Sequence, residues 1–195
     1  MRRIGLFGGT FDPPHLGHLA LAEVARDRLR LDEVRFVPSG RPPHKRGARV
    51  SPARHRLAMT RLAVRGNPIF TVSTIETRRG GPSFTVETLR HVANEKPPAR
   101  LFLLMGADSL EEFATWRDPD AIRRLATLVV AVRPGGGRKP GRGRDRRVVH
   151  LENPGLAISS SLVRTRVRAG RSVRYLVPES VRAYVVRHGL YRRQG

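Results

Sequence analysis

Six short apolar runs punctuate the chain: IGLFGG (4–9), VRFVP (34–38), FTVSTIE (70–76), RLFLLMG (100–106), ATLVVAV (126–132) and VVHL (148–151). They are close to continuous rather than alternating apolar with polar. A strand of that kind is buried on both faces. Most of the runs are separated by segments with helical spacing. Residues 17–30 carry Leu21, Val24, Ala25 and Leu29 on one stripe. Ser51 followed by Pro52 predicts an N-cap and first turn for a helix to about Arg65. Ser83 is the expected cap of a helix through Val86, Leu89 and Ala93. A short helix is expected from Ala107, another from Ser159 to about Ala169, and a last one over 178–189 with Gly189 as its C-cap. Strands alternating with helices predict an α/β fold, a Rossmann-like doubly wound parallel sheet with a C-terminal helical segment. Ligands of such sheets bind beyond the carboxyl ends of the strands. Residues 8–18, 38–46 and 105–109 all follow strands and are expected to meet on one rim.

The 195 residues, 39% of them hydrophobic, suit one domain over 1–195. Aromatics make up 6%, which predicts a mostly aliphatic core. Residues 133–147, RPGGGRKPGRGRDRR, have no apolar anchor and are expected to form a mobile surface loop. No internal repeat is visible. The absence of cysteine excludes disulfides, thiolate metal sites and a cysteine nucleophile. It fits an intracellular, cytoplasmic protein. The first residues hold too few apolar positions for a signal peptide, and no run approaches the ~20 residues of a membrane helix.

The formal net charge is +22, carried by 35 arginines and three lysines, Lys45, Lys96 and Lys139. An anionic partner is one explanation. The arginines are spread along the chain with little aromatic interleaving for base stacking. Compositional drift plus a phosphate-handling site is therefore preferred over a dedicated nucleic-acid binder.

Three familiar phosphate or metal motifs fail. Gly8, Gly9 and Gly17 do not fit G-x-G-x-x-G. The segment 136–143 has Arg142 and Gly143 where a P-loop needs Lys and Ser/Thr. No H-E-x-x-H occurs. The stretch GGTFDPPHLGH (8–18) offers another solution. Gly8 and Gly9 permit a close turn at the strand end. His15 lies just before a helix and His18 in its first turn, where free N–H groups and the helix dipole already favour an anion. Gly17 is expected to leave room above that turn. The combination suits a polyphosphate.

GGTFDPPHLGH resembles the first signature of the nucleotidyltransferase superfamily, a Thr followed by H-x-G-H. ISSSLVRTR (158–166) resembles the second, I-S-S-[ST]-x-x-R. There a serine-capped helix start carries Arg164 one turn beyond Ser160, so both can face one anion. PSGRPPHK (38–45), GPSFTVETL (81–89), MGADSLEEFATW (105–116), VRPG (132–135) and LVPESVRAYVVRHGLY (176–191) resemble the bacterial nicotinate-nucleotide adenylyltransferases. Pantetheine-phosphate adenylyltransferase is the nearest alternative, but it lacks the PPHK, PSFT and DSLxxFxxW segments. The chain departs from the pattern at Phe84, where Tyr is frequent, at Ser161, where Thr is common, and at Arg117, where an aromatic is sometimes found.

The resemblance implies transfer of AMP from ATP to nicotinate mononucleotide, giving deamido-NAD and pyrophosphate. Gly8, Gly9, Thr10, Phe11, His15, His18, Ser159, Ser160 and Arg164 would form the ATP side. His15, His18 and Arg164 would hold its phosphates, with Lys45 reaching a phosphate from the PPHK loop. Thr10 and Lys45, together with Thr85, Asp108, Trp116 and Arg117, would form the mononucleotide side. There Trp116 would stack on the nicotinate ring and Asp108 would accept from a ribose. Backbone N–H groups near Thr85 and Trp116–Arg117 would take the carboxylate. Mg²⁺ would arrive with ATP, with no protein ligand of its own. The expected partners are these small molecules, not a membrane or nucleic acid, and a homo-oligomer is left open.

Overall fold

A computed structural model describes residues 1–42, 50–95, 99–132, 148–152 and 155–192. The expected loop at 133–147 and Lys45 lie outside the described residues. The elements run β1 (Arg3–Gly9), α1 (Leu16–Leu29), β2 (Glu33–Pro38), α2 (Ala53–Val64), β3 (Phe70–Val72), α3 (Ile75–Arg78), α4 (Thr85–Glu95), β4 (Arg100–Gly106), α5 (Ala107–Glu111), a 3-10 turn (Phe113–Thr115), α6 (Pro119–Leu125), β5 (Ala126–Val132), β6 (Val148–Glu152), α7 (Ser160–Arg168) and α8 (Glu179–Arg187).

The six strands form one sheet in the order β3-β2-β1-β4-β5-β6, every pair parallel. The chain leaves β1 toward β2 and β3, then returns to β4 on its other side. The switch point therefore lies between the carboxyl ends of β1 and β4, where such sheets bind ligands.

Period-two alternation sends successive residues of each strand to opposite faces. Ile4, Leu6, Leu101, Leu103, Met105, Leu128 and Val130 pack with α4 and α6 through Val86, Leu89 and Ile122. Phe7, Phe102, Leu104 and Val129 face α1 through Leu21, Ala22 and Ala25. That second face is more aromatic than composition suggested: Phe7, Phe11, Phe36, Phe70 and Phe102, five of the seven phenylalanines, gather there. A third cluster joins α2, α7 and α8 through Met59, Ala63, Val163, Val181 and Val185.

Three local expectations are corrected. The third strand ends at Val72 instead of Glu76. The Ser73 amide makes the last bond to Phe36, and residues 75–78 wind into α3, from which Ile75 packs onto the core. Ser51 does not cap α2. Its N–H donates to the Asp12 carboxylate, its C=O accepts from Arg56, and the helix begins after Pro52. Ser83 does not serve as a free helix cap either, because its hydroxyl accepts from the Gly40 amide at 2.9 Å. By contrast, Ser159 caps α7 by accepting from the Leu162 amide. At the end of α8, Gly189 lies one position past the C-cap with φ +58, and Leu190 donates back to the Val185 carbonyl. That left-handed reversal is a Schellman motif, and it turns the chain toward Tyr191.

The β2 exit is the tightest point. A Cβ on Gly40 would lie 2.1 Å from the Glu76 carbonyl oxygen. Gly40→Ala is expected to lose on the order of 1–3 kcal/mol of stability, the usual cost of forcing an atom into a filled space. Urea unfolding monitored by circular dichroism measures it, and an unshifted midpoint would contradict this packing.

Candidate active site

The segment from Thr10 to His15 belongs neither to β1 nor to α1. Its polar groups must therefore find partners elsewhere. Arg56, 1% exposed, donates from Nη1 to the Thr10 carbonyl, from Nη2 to the Gly40 carbonyl and from Nε to the Ser51 carbonyl, each at 2.9 Å. The Asp12 carboxylate accepts from the Ser51 amide at 3.0 Å and from the Tyr191 hydroxyl at 2.6 Å. The Asp12 carbonyl accepts from Arg164 Nη1 at 2.7 Å. The Pro13 carbonyl accepts from the Ser160 hydroxyl at 2.8 Å. The Leu16 amide, at the start of α1, donates to the Leu176 carbonyl at 3.0 Å. The two signatures, 147 residues apart at Pro13 and Ser160, are thus directly joined.

Phe11 takes φ +49 and buries its ring among Phe7, Phe36 and His18. Only its backbone is then available to a ligand. A Cβ on Gly8 would meet nothing within 4 Å, so the floor of the site is open there. Gly17 plays a different part from the one expected. A Cβ on it would come within 3.1 Å of His15 Nδ1, so the space above the turn holds the His15 ring itself.

The His15 and His18 rings stack at 3.6 Å between centroids. The His15 amide donates to His18 Nδ1 at 3.1 Å. An Nδ1 that accepts leaves the proton of neutral His18 on Nε2, which is then a donor. His15 Nδ1 is buried and has no hydrogen-bond partner among the described residues. Burial lowers the His15 pKa to about 4 and holds that of His18 well below the ordinary range, with the neighbouring His15 adding to the shift. Burial thus favours the neutral form of both rings, and each neutral imidazole carries one N–H that can donate to a phosphate oxygen.

On the other side of the rim, the Arg117 guanidinium lies 4.7 Å over the Phe84 ring and pairs with Glu87 at 3.0 Å. Glu87 also binds Arg79 at 3.0 Å. Two of the three departures from the family pattern, Phe84 and Arg117, therefore face each other. Thr85 opens α4 beside them. Trp116 is half-buried on the core against Phe113. Asp108 is exposed in the first turn of α5, whose N-cap is Gly106. The arginine at 56 links the two sides, since Gly40 accepts from it and donates to Ser83, two residues before Thr85.

Sequence reasoning does not single out Asp12, Ser39, Arg56 or Tyr191. Arg56 has a readable signal: it shares the buried stripe of α2 with Met59, Thr60, Ala63 and Val64. A charged residue at helical core spacing is informative. Ser39 follows β2 with a buried hydroxyl that has no partner among the described residues, and its amide donates to Gly9 at 2.9 Å. Nothing in the sequence marks Tyr191 as an Asp12 partner.

Residues 6–166 match the Cytidylyltransferase-like family. The chain belongs to this family. Members named "Probable nicotinate-nucleotide adenylyltransferase" are similar to it over nearly their whole length. That of Thermomicrobium roseum is 48% identical over 200 residues, covering 98% of this chain and 92% of the relative. One from Thermus thermophilus is 48% identical over 190 residues, covering 97% and 100%. The fold is also that of the Plasmodium falciparum nicotinic acid mononucleotide adenylyltransferase complexed with NaAD. There the TM-score is 0.83 at 15% identity, with 98% of both chains covered. Among the described residues of this family member, no helix is long and apolar enough to cross a membrane.

The histidine shifts set a pH dependence. In the unfolded chain a histidine takes up its proton near pH 6.5, whereas folded His15 resists until about 4. Between those values the unfolded state binds more protons, so stability falls as pH falls. The slope is up to about 1.4 kcal/mol per pH unit for each such histidine. Urea unfolding at pH 7, 6 and 5 is expected to show this loss, and His15→Asn to flatten it. A variant curve parallel to wild type would argue against a neutral buried His15.

Proposed function

We propose that the chain is a nicotinate-nucleotide adenylyltransferase, transferring AMP from ATP to nicotinate mononucleotide and releasing pyrophosphate. The observation that carries the reading is the union of the two signatures at the switch point of the sheet. The Ser160 hydroxyl and the Arg164 guanidinium bind the backbone of the very turn that presents His15 and His18. The whole-length likeness to relatives named for this activity supports the acceptor.

In the reaction a phosphate oxygen of the mononucleotide attacks the α-phosphorus of ATP. The bond from that phosphorus to the α–β bridging oxygen breaks, and the electron pair leaves with pyrophosphate. No enzyme nucleophile is required. Catalysis consists of positioning and of neutralising charge that grows on the phosphates. His18 Nε2–H, His15 and Arg164 serve the triphosphate, with Lys45. The first-turn N–H groups of α7, beyond Ser159 and Ser160, and the backbone of Thr10 and Phe11 complete the ATP side, with Gly8 and Gly9 leaving it room. Arg164 now rests on the Asp12 carbonyl and the Ser161 hydroxyl, and its remaining donors can turn to an anion. Mg²⁺ enters as part of the nucleotide substrate, on phosphate oxygens and water. Among the described residues no group of three or more His, Cys, Asp or Glu side chains is placed to hold a metal.

On the acceptor side, Trp116 stacks on the nicotinate ring, Asp108 accepts from the ribose, and amides near Thr85 and Arg117 take the carboxylate. The Arg79–Glu87–Arg117 chain carries two guanidinium groups on one carboxylate, so its net charge is positive beside Thr85. That field favours the acid over the amide. The excess of arginine is assigned to composition and phosphate handling, not to nucleic acid. The cytoplasm is the assigned compartment, and residues 1–195 are read as one nucleotidyltransferase domain.

Purified protein with ATP, Mg²⁺ and nicotinate mononucleotide is expected to release pyrophosphate and form deamido-NAD, with nicotinamide mononucleotide and pantetheine phosphate turned over less well. Failure to release pyrophosphate would sink the reading. His18→Ala is expected to lower kcat by on the order of a hundredfold or more, the scale of one lost transition-state donor. Unchanged turnover in that variant would remove His18 from the phosphate site.

A further inference from the structure

We propose that Tyr191 is a positioning residue for AMP transfer, acting through Asp12 to hold the histidine-bearing turn in place. The inference rests on the adenylyltransferase reading. Tyr191 lies at the far end of the chain from the first signature, and its hydroxyl donates to Asp12 Oδ1 across 179 residues of sequence.

Three features say that the contact is built. First, Asp12 is 3% exposed, and each of its carboxylate oxygens has its own donor, Tyr191 on Oδ1 and the Ser51 amide on Oδ2. Second, Tyr191 sits at φ +65, which an L residue adopts at a cost and keeps only when its surroundings fix it. It is delivered there by the reversal at Gly189 and packs against the cluster of α2, α7 and α8. Third, Asp12 and Arg56 grip the same Ser51 from opposite sides, Asp12 on its N–H and Arg56 on its C=O, while Arg56 also holds Thr10. The ring Thr10–Arg56–Ser51–Asp12 closes on itself, and Tyr191 is its outer support. Burial, helped by the Asp12 charge, raises the Tyr191 pKa, so the hydroxyl stays protonated and remains a donor.

Tyr191 does not need to touch substrate to matter. Asp12 is three residues from His15, and its carbonyl is the acceptor that Arg164 uses. Losing one of the two donors on the Asp12 carboxylate frees the turn to shift relative to Arg164 and α7. In-line transfer is sensitive to such shifts, since a misplacement of about 1 Å can cost a hundredfold in rate. The loss is one of alignment in the transition state, so it falls on kcat rather than KM.

The test is Tyr191→Phe, which removes one oxygen and leaves the ring in its cluster. Initial rates of pyrophosphate release give kcat and the KM for each substrate, and thermal unfolding gives the melting midpoint. The expected result is a kcat at least about tenfold lower, both KM values within about twofold of wild type, and a midpoint lowered by only a few degrees. A kcat within twofold of wild type, whatever the midpoint does, overturns the proposal and leaves Tyr191 a purely structural residue. If Tyr191→Phe does not fold, Asp12→Asn carries the same split, because its amide has one acceptor oxygen where two donors, the Tyr191 hydroxyl and the Ser51 amide, need two. Where both fold, the double variant is expected to be no slower than the slower single, because Tyr191 acts only through the Asp12 carboxylate. Losses that multiply would overturn the coupling. Wild-type protein that releases no pyrophosphate overturns the adenylyltransferase reading and this inference with it. An active wild type beside an equally active Tyr191→Phe overturns only the inference.

Discussion

The hydrogen bonds that reach the irregular stretch between β1 and α1 hold the rest of the site together. A helix bonds its own backbone and a strand that of its neighbours; this stretch does neither. Thr10, Asp12, Pro13 and Leu16 are bonded by Arg56, by Arg164 with Tyr191 and Ser51, by Ser160, and by Leu176. A buried polar group without a partner costs about 1–3 kcal/mol, so the side chains of Arg56, Ser160, Arg164 and Tyr191 each have a job that an apolar residue could not do. The same bonds decide where His15 and His18 stand. Stability and catalysis therefore draw on one set of contacts.

The charge pattern follows the same logic at the opposite end of the sheet. Arg35 interrupts the apolar run of β2, yet it is only 7% exposed. It is tolerated because Glu33 and Glu95 bind it at 2.8 and 2.7 Å, while Glu33 also accepts from Thr71 and Arg2. Near the rim, the Arg117 guanidinium lies over the Phe84 ring. Each departs from the family pattern, and each supplies the other's contact. A position judged alone reads as a defect, and the two read as a pair attract each other.

The sheet was largely legible because burial on both faces leaves a plain mark: an unbroken apolar run. All six strands fall where those runs do, and the two signatures fall at the strand ends and helix starts where the fold needs them. Illegible were features that depend on partners far away in sequence. F-T-V-S-T-I-E reads as a strand, but only three residues pair with β2, because the chain must turn into α3 to set Ile75 on the core. Gly17 reads as open space, whereas the His15 ring occupies it. Ser51 and Ser83 read as helix caps by local pattern, and their groups are taken by Asp12, Arg56 and Gly40. Local rules treat each residue as though its neighbours in sequence were its neighbours in space. Around an active site that assumption fails most often.

The contact between Asp12 and Tyr191 has a consequence for how the molecule comes into being. In the unfolded chain those groups are the ends of a very long loop, and bringing them together costs entropy that grows with loop length. One hydrogen bond, worth about 1 kcal/mol net, cannot close it. The packing of α8 on α2 offsets that cost, with Val181 and Val185 against Met59 and Ala63. The shape of the turn at Asp12 is therefore tied to a helix that never touches the sheet's switch point: a change that loosened α8 from α2 would withdraw Tyr191 from Asp12 and leave the strands as they are.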